Sequence, residues 1–220
     1  MTKLARIILV AVLAAITFQT FPTLADAAAP QARLKASEDP TVLWLFAQAA
    51  DYWRSQGVTI PDYVVSTEDP ADNASASVQH WVHPDGTDTP ILRIRSNVRY
   101  TWRYRDQLAQ LALHETVHMG QSTSIAWDPA AYMLRRSWVE GMADGLAFDH
   151  LCPFMSRTWG RKVALAECNT FTLSSDADYR RYTTEYRMLS ARETGTSWRS
   201  VTARRWRLDQ LRISSRTPLN

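Results

Sequence analysis

The first residues in this chain able to do chemistry together are His114-Glu115-Thr116-Val117-His118, an H-E-x-x-H run. On a helix, residues four apart stack on one face. Two imidazoles placed this way can point at one ion, at about 2.0–2.1 Å if that ion is zinc. Glu115, beside the first ligand, can reach a water on the ion without ligating it. Two histidines on an amphipathic helix also serve as hydrogen-bonded core or surface residues, so downstream ligands must decide.

A catalytic zinc site takes three protein ligands and keeps one position open. The metzincin pattern would need glycine at position 121 and histidine at 124, where this chain has Gln121 and Ser124. The other histidines are His80, His83 and His150. The better third ligand is Glu140, in Trp138-Val139-Glu140-Gly141-Met142-Ala143-Asp144. Asp144 lies one helical turn further on the same face, where it can accept the remaining N–H of a ligating imidazole. Gly141 would let this helix approach the metal helix closely. Taken alone, an acidic pair on a helix also fits a solvated face; beside H-E-x-x-H it reads as ligand and support. The chemistry expected of the set is hydrolysis, with Zn2+ activating a water and Glu115 as general base.

H-E-x-x-H followed by W-x-x-E-G-x-A-D over about residues 108–148 resembles the gluzincin-type zinc metallopeptidases, in the E-G-x-A-D variety seen in plant-type basic secretory peptidases and related bacterial families. The resemblance implies a zincin-like α+β fold: an N-terminal helix, a small twisted β-sheet lobe, the metal-binding helix and a helical C-terminal lobe. It implies metal ligands His114, His118 and Glu140, catalytic Glu115, and Asp144 behind a ligand histidine. It also implies an edge strand that binds extended peptide, which would be Pro90 to Arg95, PILRIR. Related enzymes stabilise the oxyanion with a tyrosine or histidine; Tyr132, His150, Tyr179, Tyr182 and Tyr186 are the candidates here, unranked.

The elements that must position these residues are legible without the resemblance. Pro40 to Gln56 has apolar residues at helical spacing, with Asp39 suited to start the helix and Gly57 to end it. Asp62 to Thr67 is strand-like. Val78 to His83 and Ile91 to Ile94 flank Pro84-Asp85-Gly86 as a hairpin. Thr101 to Met119 reads as one helix, closed by Gly120. Asp128-Pro129 opens another that should run to about His150, despite Gly141 and Gly145. A further helix is expected at Asp176 to Ala191. Strands early and helices late give α+β: one domain over 40–220, with a sheet lobe at about 40–100 and a helical lobe at about 101–220.

The beginning of the chain reads differently. Lys3 and Arg6 precede the apolar run Ile7 to Phe18, and Ala25-Asp26-Ala27 offers a cleavage site. Residues 1–27 are therefore expected to be a signal peptide cut near Ala27, with an uncleaved anchor as the alternative. Residues 28–39 read as a flexible lead. Export makes a disulfide the simplest use of the two cysteines, Cys152 and Cys168. Asn73-Ala-Ser75 matches a glycosylation sequon, a common chance match.

The formal charge of the full chain is +3, and loss of residues 1–27 would bring it closer to neutral, which gives no case for nucleic acid. Residues 197–220 carry Arg199, Arg204, Arg205, Arg207, Arg212 and Arg216 against Asp209 alone. This tail suits weak contact with an anionic surface, or a solvated helix packed on the domain. The expected function is thus a secreted zinc metallopeptidase acting on peptide or protein. The alternatives are a non-catalytic zincin-fold binding protein and a metal-free structural protein.

Overall fold

The computed structural model describes residues 39–71, 74–85, 87–96, 98, 105–121, 129–168 and 177–194, all within one compact unit. Residues 1–38, the sequon asparagine and the basic tail lie outside the described residues. Among the described residues no helix is long and apolar enough to cross a membrane.

Helix α1 spans Pro40–Ser55. Asp39 caps it as its position suggests: one carboxylate oxygen accepts the N–H groups of Thr41 (2.9 Å) and Val42 (3.4 Å), two of the donors a helix start leaves unpaired. The next elements are β1 (Val64–Val65), β2 (Ala76–Val82) and β3 (Asp88–Ile94). They form a sheet of order β1-β3-β2, with β1 parallel and β2 antiparallel to β3. The mixed sheet and the helices around it confirm the α+β class.

One expectation fails here. The segment PILRIR is not at the edge: β3 is the central strand, and β2 is an outer one. The cause is β1, whose two paired residues are too few to leave a readable pattern. The outer edge of β2 follows from the register. His83 N–H donates to Thr87 C=O (2.8 Å) and Arg95 N–H to Ser75 C=O (2.9 Å), so the odd-numbered residues of β2 exchange bonds with β3. The backbone groups of Ala76, Val78, His80 and Val82 then aim away from the sheet. Pro90 pairs with His80 without needing to donate, and its missing N–H falls where β1 has not yet begun. Val64 and Trp81 are exposed.

Helix α2 (Arg105–Gly120) is central. From Ala109 to Val117 every residue is buried, polar ones included. The indole N–H of Trp53 donates to Leu113 C=O (3.1 Å), which ties α1 to α2 one residue before His114. Helix α3 spans Pro129–Thr158 and so continues past the expected end at His150. Pro153 removes one helical hydrogen bond, but Leu151, Phe154 and Met155 are all buried, and that burial outweighs the lost bond. The short α4 (Leu165–Cys168) brings Cys168 back to α3. The expected Cys152–Cys168 disulfide is present, with Cα atoms 5.4 Å apart.

Helix α5 (Ala177–Thr194) lies on α3. A Cβ at Gly141 would meet the carbonyl oxygen of Tyr182, and one at Gly145 would meet the ring of Tyr186. The expected role of Gly141 is therefore corrected. It admits α5, not α2.

Candidate metal centre

Helix α2 supplies His114 and His118, and α3 supplies Glu140. Their ligand atoms are the one set of three or more, among the described residues, that could hold a metal ion. His118 Nε2 is 3.1 Å from His114 Nε2 and 3.4 Å from Glu140 Oε2, and His114 Nε2 is 3.6 Å from the same oxygen. The centre of that triangle lies about 1.95 Å from each corner, while a tetrahedral ion with bonds of 2.0–2.1 Å wants its donors about 3.3 Å apart. The three donors therefore fit a tetrahedral ion, which would have one position left for water. The expected ligand triad is thus assembled in space by two helices, and all three side chains are largely buried.

The supports are unequal. Asp144 lies where the sequence reading puts it, with its Oδ1 3.9 Å from His114 Nδ1. Both atoms are buried and neither has a hydrogen-bond partner. An approach of about 1 Å would make one hydrogen bond and satisfy both atoms. The other oxygen of Asp144 accepts the Thr183 hydroxyl (2.8 Å), so α5 helps to hold it. Behind His118 stands Gln121, noticed in the sequence only for not being glycine. Its Oε1 is 2.6 Å from His118 Nδ1, and its Nε2 donates to Val139 C=O (2.9 Å). His80 Nε2 meets His118 C=O at 3.1 Å while His80 Nδ1 meets Asp88 at 2.6 Å, which fastens β2 to the last turn of α2.

The electrostatics favour a positive charge at the centre. Burial opposes a charge on His118, but the Glu140 carboxylate, with Glu115 and the Gln121 bond, outweighs it and pushes the imidazole up to about 9. Burial also opposes ionisation of Glu140, yet the two histidines hold it well below the usual carboxylate range. Glu115 goes the other way. Burial pushes it up, against the pull of His114 and His118.

The five oxyanion candidates separate. Tyr179 stands at the centre: its ring is 6.5 Å from that of His114, and burial and then the Glu140 charge raise its pKa, so that it stays protonated. Tyr182 packs beside Tyr179, and the guanidinium groups of Arg136 and Arg181 both lie against its ring. Tyr186 is buried against Trp138. His150 lies about 15 Å along α3 from Glu140, bonded to the Tyr52 hydroxyl (2.7 Å) and against Trp53. The side chain of Tyr132 lies outside the described residues. No sequence pattern ranked Tyr179, because its place depends on how α5 docks.

Compared with known proteins, the chain matches no family model, no curated protein and no solved structure.

Proposed function

We propose that this protein is a zinc metallopeptidase of the gluzincin type with a zincin-like fold, exported by its N-terminal segment. The observation that carries the reading is the donor triangle of His114, His118 and Glu140, with the buried carboxyl of Glu115 next in sequence to the first of them. Two imidazole nitrogens and one carboxylate oxygen suit zinc, whereas magnesium and calcium prefer oxygen donors. Bound there, zinc would polarise a carbonyl and lower the pKa of a water towards neutral.

The chain's own residues do the rest. Glu115, whose pKa is raised by burial, lies closer to the working range of a general base than a solvated glutamate. It takes the proton from the attacking water and delivers it to the leaving amine. Tyr179 remains a phenol throughout the neutral range and donates to the oxygen on which negative charge develops. The outer backbone groups of β2 can pair with an extended peptide, and β2 is the strand fastened to the metal helix through His80. A peptide laid there would lie on the strand that adjoins the last turn of α2, the turn that carries His118. That feature supports peptide, rather than a small ester or amide, as substrate.

The test is zinc content of the purified chain together with hydrolysis of an unstructured protein such as casein. Wild type should hold one zinc and cleave. Glu140→Ala should lose the metal. Glu115→Gln should keep zinc and lose about 10²- to 10⁴-fold in turnover. Full activity in Glu115→Gln would overturn the mechanism, and a zinc-loaded wild type without hydrolysis would favour the binding-protein alternative.

A further inference from the structure

Gln121 follows directly on the last residue of α2 and is buried, with both ends of its amide engaged. An amide offers one oxygen that accepts and one nitrogen that donates. Val139 C=O can only accept, so the amide nitrogen must face it. That leaves Oε1 facing His118, and the orientation is fixed by chemistry. Oε1 in turn can only accept, so His118 Nδ1 must carry a hydrogen and donate it. The lone pair of a neutral His118 is then on Nε2, the atom directed at His114 Nε2 and Glu140 Oε2.

The same amide reaches the residue immediately before Glu140. One side chain therefore holds the second ligand by its ring and the third by its backbone, across the gap between α2 and α3. His114 faces a carboxylate where His118 faces a neutral amide. The two supports thus differ in charge, and replacing Gln121 by an acid would add a further buried carboxylate to a place already crowded with Glu115, Glu140 and Asp144.

We infer that Gln121 is a positioning residue of the metal centre: it sets the tautomer of His118 and couples the placement of His118 to that of Glu140. The inference rests on the zinc reading above. If it holds, the two helices do not contribute ligands independently, and loosening this clamp weakens the ion's hold on both.

The experiment is titration with Zn2+ against a chromophoric chelator, with the visible spectrum of the Co2+-loaded protein beside it, for wild type, Gln121→Leu and Gln121→Glu. Loss of a hydrogen bond behind a ligating imidazole weakens metal binding about 10- to 100-fold, so Gln121→Leu should fall in that range and its Co2+ bands should shift. Gln121→Glu should recover part of that loss, because a carboxylate still accepts from His118 Nδ1 although it cannot donate to Val139. Coupling has its own readout. In a Glu140→Asp background, which keeps a carboxylate donor, Gln121→Leu should cost a smaller factor than in wild type. Zinc binding by Gln121→Leu within twofold of wild type, with an unchanged Co2+ spectrum, overturns the inference. Should Gln121→Leu not fold, nitrogen NMR of the wild-type His118 ring decides: a hydrogen on Nε2 and none on Nδ1 in the zinc-loaded protein overturns it. A wild type that takes up no zinc defeats the metal reading itself, and is recognised before any variant is measured.

Discussion

Gly141→Ala puts two physical effects in opposition. Helix propensity alone favours alanine over glycine in the middle of α3 by about 1 kcal/mol. The packing says otherwise. A Cβ at Gly141 would lie 2.3 Å from the carbonyl oxygen of Tyr182 and 2.6 Å from its carbonyl carbon. Both are backbone atoms of α5, so no rotamer change relieves them. Restoring normal contact requires about 1 Å of movement between two packed helices. Overpacking of this kind costs about 1–3 kcal/mol, which exceeds or cancels the propensity gain and leaves a net loss of up to about 2 kcal/mol. Gly145, one turn on, is the internal control. Its nearest foreign atom is 3.4 Å from the added Cβ and belongs to a ring, so Gly145→Ala should be neutral or stabilising by up to about 1 kcal/mol. The assay is urea unfolding of both variants with chelator present, because bound metal would add its own stabilisation. Tyr179 rides on α5, so Gly141→Ala should also lower turnover by up to about a hundredfold while zinc is retained. If Gly141→Ala proves as stable as Gly145→Ala, the account of how α5 seats on the Glu140 helix is wrong.

Metal affinity should rise with pH. His118, pushed up to about 9, must release its proton before Nε2 can ligate, so zinc binding should strengthen about tenfold per pH unit below 9 and level off above it. The sign for stability runs opposite: in chelator, the charged His118 stabilises the fold fully below its ordinary value of 6.5, and that contribution disappears as pH rises through about 9. Competition titrations from pH 6 to 10 check the first, and a pH-independent affinity would contradict it. Tyr179→Phe should keep zinc and lose about 10²- to 10³-fold in turnover, measured by steady-state kinetics on a peptide. Cys168→Ser, or reduction, opens a short loop and should cost about 3 kcal/mol in denaturant unfolding without removing the metal.

Features that follow from a local rule are legible in the sequence. Asp39-Pro40 starts α1 because capping needs only a few consecutive residues. His114 and His118 share a face because helix geometry alone puts them there. Glu140 and Asp144 were legible for the same reason, once a third ligand was required. What failed was set by partners distant in sequence. The strand PILRIR has the alternation of a half-buried strand, but edge or centre depends on whether β1 pairs with it, and Val64-Val65 is too short to announce itself. Helix α3 runs through Pro153 because burial of the following turn offsets the lost bond, and propensity contains no information about burial. Gly141 was rightly read as a close approach, but which helix approaches was not in the sequence.

The centre divides the same way. The sequence by itself determined which atoms could bind an ion, since the imidazole and carboxylate chemistry of His114, His118 and Glu140 belongs to the residues and to helical spacing. Only the tertiary structure decided how those atoms are held. Gln121 reaches His118 and Val139 together because α2 ends beside α3, and the ring of Tyr179 stands near that of His114 because α5 packs closely on α3 at Gly141. Contacts of that kind depend on positions in space a few ångströms apart, and a one-dimensional pattern does not encode distances between helices.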